Sequence, residues 1–221
     1  MVFPAGHQEL NGIIHTFVTK CGLYRTGALW AHSASGPDCA PDIITMAKPL
    51  ANGYPIGAVM MRGEIAQAMS VGESGGMLFT SPFPYACACV ISGTHGTTFG
   101  GSPLACAVGL HVLQRLSDKT FVESAKENSN YLRERLVQMT KWFPNVIQQE
   151  IRGRGLILGI GFQDESVPSR MVSLARERGV LILTAGKDAV RLVPSLNVGK
   201  EEVDIAVDVL EGCLGVIGNS K

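Results

Sequence analysis

Residues 41–59 read PDIITMAKPLANGYPIGAV. The β-branched pair Ile43-Ile44 opens a short strand, and Asn52-Gly53 with Gly57 supplies the turn that follows. Between them stands Lys48, the only charged side chain between Asp42 and Arg62. An amine withdrawn from water loses its hydration, and its pKa falls toward that of a usable nucleophile and base. An ordinary solvated lysine leaving a strand is the plainer reading, since most lysines lie on the surface. What decides between the two is the company Lys48 keeps along the chain.

Downstream, Arg62–Met69 (RGEIAQAM) has helical spacing. Residues 73–93, ESGGMLFTSPFPYACACVISG, carry two prolines, two cysteines and no charge after Glu73. They fit neither a helical nor an alternating pattern, and a loop of that length is foreign to a compact domain. THGTTFGGSP (94–103) is then a turn rich in glycine and hydroxyls, running into a helix from Pro103 to about Leu116. Free N–H groups and hydroxyls ahead of a helix form a cradle for phosphate, although most such turns are plain connectors. Upstream, Ile13–Val18 reads as a strand, Cys21–Gly27 as a loop with glycines near both ends, and Ala28–His32 as a short helical or extended piece.

The texture changes near 117–120. Phe121, Ala125, Leu132, Leu136 and Met139 mark one face of a long helix ending near Trp142, with Pro144 beyond it. Strands follow at Ile147–Ile151 and Gly155–Phe162, then a helix at about 167–178. Two more strands, Val180–Thr184 and Ala189–Val193, precede a last helix with Val203, Ala206, Val207, Leu210 and Leu214 on one face. This mixture predicts a compact α+β lobe. Arg191 sits in the alternating stretch Ala-Val-Arg-Leu-Val-Pro, where it is either a salt-bridged surface arginine or a bidentate clamp for a carboxylate.

Composition bounds the possibilities. The 221 residues suffice for one sizeable core, or a large and a small domain. The chain is 46% hydrophobic and 17% charged, with mean hydropathy +0.19, zero formal net charge and pI near 6.9. That balance argues against a nucleic-acid partner, which calls for a basic face. No apolar run reaches the ~18 residues of a membrane span. Six cysteines and five histidines show no paired or ligand spacing, so reduced thiols and no metal site are expected. Residues 1–20 lack the pattern of a secretory signal and that of a transit peptide.

Four motifs in order, PDIITMAKPLANGYPIGAV, HGTTFGGSPLACAV, IRGRGLILGI and AVRLVPSLNVGKEEV, resemble the class III, fold-type I, pyridoxal-phosphate aminotransferases. The resemblance covers residues 21–72 and 94–217, and LYRTGALWAH and ITMAKPLANGYPIGAV are similar to the fungal mitochondrial acetylornithine branch. It implies an α/β fold: 21–117 as part of the cofactor-binding large domain, 73–93 as an inserted loop of 21 residues, 118–221 as the small C-terminal α+β domain, and 1–20 as an aberrant segment. It implies pyridoxal 5'-phosphate as cofactor. Lys48 matches the lysine that condenses with the cofactor aldehyde and moves the substrate proton. Thr98, beside Thr97, matches the hydroxyl that binds the cofactor phosphate, across a homodimer interface in the family. Arg191 matches the arginine that grips the substrate α-carboxylate. The implied reaction moves an amino group from N-acetylornithine to 2-oxoglutarate, in the mitochondrial matrix by family or otherwise in the cytoplasm.

The chain also departs from the family pattern. The phosphate loop and the aromatic that stacks on the pyridine ring belong to a part of the family's large domain ahead of residue 21. Phe17, Val18, Thr19 and Lys20 stand where the family places Asp-Glu-(Val/Ile)-Gln, whose aspartate pairs with the pyridine nitrogen. Deleting Glu73–Gly93 restores the family's spacing between lysine and threonine, which points to a retained in-frame intron. The alternatives are therefore a catalytically silent fragment of such an enzyme, truncated or mis-spliced, or a relative of ornithine or 4-aminobutyrate aminotransferase.

Overall fold

A computed structural model of the protein describes residues 2–5, 14–18, 21–35, 40–62, 78–79, 87–88 and 98–218. Its described residues fall into two compact units. One comprises Met1–Leu23 and Ala28–Ser117, the other Tyr24–Gly27 and Asp118–Lys221.

The first unit is built on a four-stranded sheet of order β1-β2-β3-β4. The strands are β1 (Val2–Ala5), β2 (Ile14–Val18), β3 (Ile43–Met46) and β4 (Ala58–Met61). β2 and β3 run parallel, with Phe17 opposite Ile44, while the outer pairs are antiparallel. Ile44 and Met46 are buried on one side of the pleat and Ile43 and Thr45 are half-buried, the alternation a strand imposes. A small hairpin pairs β5 (Leu78–Phe79) with β6 (Cys87–Ala88). Helix α1 (Pro103–Leu116) starts with proline at its first turn, as its missing N–H allows. Gly109 of α1 lets the helix approach Leu50 and Ile56: a Cβ there would stand 3.1 Å from Ile56 Cδ1.

The second unit is a two-layer α+β lobe. Its antiparallel sheet has the order β7-β8-β10-β9, from β7 (Ile147–Arg154), β8 (Ile157–Phe162), β9 (Leu183–Ala185) and β10 (Ala189–Leu192). Helix α2 (Lys119–Trp142) lies against β7 and α4 (Lys200–Gly218), and α3 (Val167–Glu177) against α4, β9 and β10. Leu136, Met139, Ile160, Phe162, Met171, Val190 and Leu214 are essentially inaccessible to solvent. Asp118 caps α2, its carboxylate accepting from the Phe121 N–H at 3.0 Å. Glu202 reaches back to accept from the Gly199 N–H at 2.9 Å, the returning half of a capping box at α4.

Several expectations shift. The piece expected at Ala28–His32 is a 3-10 turn over Ala31–Ser35. The strand expected at Val180 begins at Leu183, because the Val180 N–H is taken by the Ala175 carbonyl at the end of α3. Gly155 belongs to the β7–β8 turn at φ +59°, so β8 begins at Ile157. β1 and β4 carry no alternating pattern and are additions of the structure. Residues 63–69 of the helix expected at Arg62–Met69, most of 73–93, and Thr97 lie outside the described residues.

Candidate functional site

In the first unit, β3 ends at Met46 and the chain turns at once into a 3-10 turn, Lys48–Leu50. The Leu50 N–H is fixed on the Ala47 carbonyl at 2.9 Å, and Leu50 and Ala51 are buried while Lys48 is exposed. The sequence setting of Lys48 raised the prospect of a buried amine; its apolar neighbours occupy the interior instead and leave the side chain in solvent. The Lys48 amine has no hydrogen-bond or ion-pair partner among the described residues, while its carbonyl accepts from the Ala51 N–H at 3.4 Å. The tight backbone that follows is carried by Asn52 and Gly53, both with positive φ.

Thr98 is exposed at the turn that leads into α1, where the Ser102 N–H bonds the Phe99 carbonyl at 3.1 Å. The same helix rests through Gly109 on Leu50, two residues beyond Lys48. One rigid element thus bears on both candidate cofactor contacts. Thr97, the third expected contact, lies outside the described residues.

Arg191 belongs to the second unit. Val190 and Leu192 point into the core and Arg191 is exposed on the opposite face of the sheet. In register it faces Gly159 of β8 on one side and Leu183 of β9 on the other. Gly159 contributes no side chain, so the ground beside Arg191 is open. The next strand over places Arg152 opposite Gly159 on that face. Arg152 is already committed: its Nη2 donates to Asp188 Oδ2 at 2.7 Å and to Gln148 Oε1 at 2.5 Å. The hydrogen bond from Arg152 holds the Asp188 carboxyl below its ordinary range. The acid nearest upstream of Arg191 is thereby engaged, and Arg191 pairs with no acid among the described residues. Gly161 makes room for this arrangement, since a Cβ there would fall 2.4 Å from Gln148 Oε1 and displace the Gln148 amide.

These observations meet an outside standard. The class-III aminotransferase family model matches residues 18–214, and the chain belongs to that family. It is 38% identical over 201 residues to mitochondrial acetylornithine aminotransferase of Eremothecium gossypii, covering 91% of this chain and 42% of that protein. It is 40% identical over 204 residues to the Yarrowia lipolytica enzyme of the same name, covering 92% and 43%. The chain thus spans less than half the length of these relatives. Among solved structures, N-acetylornithine aminotransferase of Stenotrophomonas maltophilia matches at TM-score 0.68 and 27% identity, over 93% of this chain and 48% of that one. Ornithine aminotransferase of Toxoplasma gondii, described with partial occupancy of PLP at its active site, matches at TM-score 0.74 and 28% identity, over 93% and 44%. The fold is therefore that of the fold-type I aminotransferases, in part.

The family is pyridoxal-phosphate dependent, and the donor set fits that group at two of three contacts. Lys48 would offer a primary amine to its aldehyde, and Thr98 with the N–H groups ahead of α1 would suit its phosphate. Its pyridine nitrogen needs a carboxylate. Among the described residues of the first unit the single carboxylate is Asp42, which pairs with Arg62 at 3.3 Å and precedes β3 rather than following it. Phe17 holds the β2 position opposite Ile44. No chemical step through the ring follows from this set.

Proposed function

We propose that the chain carries the lysine-bearing and carboxylate-binding parts of a pyridoxal-phosphate aminotransferase, with N-acetylornithine as amino donor and 2-oxoglutarate as acceptor. The observation that carries this reading is Arg191. An exposed guanidinium without an acid partner among the described residues, on a sheet face cleared by Gly159, is suited to bidentate capture of a carboxylate. Given a carboxylate at its pyridine nitrogen, bound pyridoxal phosphate would supply an electron sink for the carbon that loses its proton. Lys48 would anchor it through the amine and then hold and return the proton at the reacting carbon. Thr98 would donate to its phosphate, within a homodimer by analogy with the family. The amino group leaves N-acetylornithine as its carbon becomes an aldehyde, and 2-oxoglutarate becomes glutamate. The names of the relatives support a mitochondrial setting.

A second reading is favoured by one specific observation, that the described residues of the first unit offer the ring no free carboxylate: a member that anchors its cofactor and does not turn over. Purified protein mixed with pyridoxal phosphate separates the outcomes. A visible absorbance band abolished in Lys48→Ala supports the lysine assignment, and the same protein assayed for glutamate formation from N-acetylornithine and 2-oxoglutarate distinguishes enzyme from silent homologue. A band unchanged by Lys48→Ala refutes the assignment.

A further inference from the structure

Arg25 lies between Gly22 and Gly27 and packs with the C-terminal unit, although more than 90 residues separate it from the start of that lobe. Its Nη1 donates to the Leu156 carbonyl at 3.3 Å and, more closely, to the Pro194 carbonyl. The Leu156 N–H returns a bond to the Arg25 carbonyl at 2.9 Å. Contact this close depends on Gly155, whose Cβ, if present, would sit 2.5 Å from the Arg25 carbonyl oxygen. No acid partners Arg25 among the described residues, and burial lowers its pKa. A half-buried guanidinium spent on two backbone carbonyls is expensive to place, and the position of Pro194 accounts for it.

The pairing of β10 with β8 runs from Ala189 and ends at Leu192, which faces Leu158. Arg191 is thus one residue from the last rung of the ladder. Val193 is 47% exposed, and Pro194 has no N–H with which to extend the pairing. Strand ends fray where nothing holds them. Arg25 ties this free end to Leu156, which is 1% exposed and fixed in the core. We infer that Arg25 is a positioning residue for Arg191: by clamping the Pro194 carbonyl to the β7–β8 turn it keeps the end of β10 in the geometry that presents the Arg191 guanidinium. This rests on the reading of Arg191 as the carboxylate clamp.

The test uses the full chain titrated with 2-oxoglutarate, followed by the NMR shift of the Arg191 side chain or by calorimetry. The variants are R25Q, R25K, R191A and R133Q, each first checked by far-UV circular dichroism. Arg133 makes a comparable clamp elsewhere in the same unit, donating to the Ile151 and Gly153 carbonyls, so R133Q reports mere loss of such a clamp. The expected result is loss of binding in R191A and an affinity about tenfold weaker in R25Q, the scale of one charge-assisted hydrogen bond put out of line. R25K should recover part of the loss, and R133Q should stay within about twofold. Amide hydrogen exchange at 193–196 should quicken in R25Q, and less in R25K. Should R25Q fail to fold, R25K decides: a folded R25K with wild-type affinity and wild-type exchange overturns the inference. Weak binding by R191A with unchanged binding by folded R25Q, or an equal loss in R133Q, overturns it and leaves the carboxylate reading standing. Absence of saturable binding by the wild type, or wild-type affinity in R191A, overturns both.

Discussion

Alanine at Gly155 tests the docking of residues 24–27 at its tightest point. Gly155 has φ +59°, in the left-handed region, where a side chain costs about 1–2 kcal/mol. Its Cβ would stand 2.5 Å from the Arg25 oxygen, 2.7 Å from Thr26 Cα and 2.8 Å from the Thr26 carbonyl carbon. All three are backbone atoms, so no rotamer change relieves the clash and the 24–27 segment must move. Moving it loses the Leu156 N–H to Arg25 carbonyl bond, worth about 1 kcal/mol net. The expected sum is about 3 kcal/mol. In a lobe of this size that lowers the melting midpoint by more than about 10 °C. Gly212 provides the opposing case: it is exposed within α4, and a Cβ there meets nothing within 4 Å. The same change at Gly212 should stabilise by about 0.5–1 kcal/mol, the helical preference of alanine over glycine. Urea unfolding followed by far-UV circular dichroism measures both. Coupling is also expected: Gly155→Ala and Arg25→Gln break one docking contact, so their combined loss should be smaller than the sum of the two. A Gly155→Ala variant within about 0.5 kcal/mol of wild type, the range of an ordinary surface change, would refute this account of how residues 24–27 are held.

Leu136 is wholly inaccessible to solvent at the centre of the second core, and Leu136→Ala should cost about 2–5 kcal/mol by chemical denaturation; a loss typical of a surface site would contradict that core. Glu211 has a raised pKa, first from burial, with Asp208 adding and Arg135 opposing. An acid raised in the folded state ionises first in the unfolded chain, so stability drains away as pH climbs through its raised value. The stability advantage of Glu211→Gln over wild type should therefore widen from about pH 4 to about pH 7, and a narrowing advantage would reverse the sign of the argument. Transcripts should predominantly lack codons 73–93, which sequencing across the junction reads directly; a major form retaining them contradicts the intron reading.

What the sequence disclosed, and what it did not, divides along physical lines. α1 was expected from Pro103 to about Leu116 and occupies those bounds, because a proline start and a sustained apolar period are local properties. The long helix and its buried face, Ala125, Leu132, Leu136 and Met139, follow from the same period. Arg191 stands out of an alternating strand as its neighbours required. β4, Ala-Val-Met-Met, shows no alternation because its surroundings, not its pattern, make it a strand. The exposure of Lys48 agrees with the plainer reading of a solvated lysine leaving a strand, but the turn that produces it was illegible. Met46 is buried and two residues earlier, so a continued strand would turn Lys48 to the same side, but the 3-10 turn redirects it. The role of Arg25 was the least visible, since its partners lie 131 and 169 positions away and no local pattern encodes them.

The candidate groups separate into those that fix position and one that activates. An amine at Lys48, a hydroxyl at Thr98 and a guanidinium at Arg191 are each presented to solvent on a held backbone. Leu50 and Gly109 brace the first two, and the last rungs of β10 brace the third. Position is a property of packing, and both units have the packing to supply it. Activation of a pyridine ring is a property of one charge, and the described residues of the first unit offer no free carboxylate for it: β2 has Phe17 opposite Ile44, and Asp42 is engaged with Arg62. Binding and turnover therefore depend on different residues and should separate in experiment. Cofactor capture should follow Lys48 and survive as the chain stands, whereas glutamate formation should require a carboxylate delivered to the ring. A variant carrying Phe17→Asp is the direct probe of that separation. It should leave the Lys48-dependent absorbance in place and change the rate of amino transfer; an unchanged rate in a folded, cofactor-loaded variant would mean that position 17 does not answer to the ring.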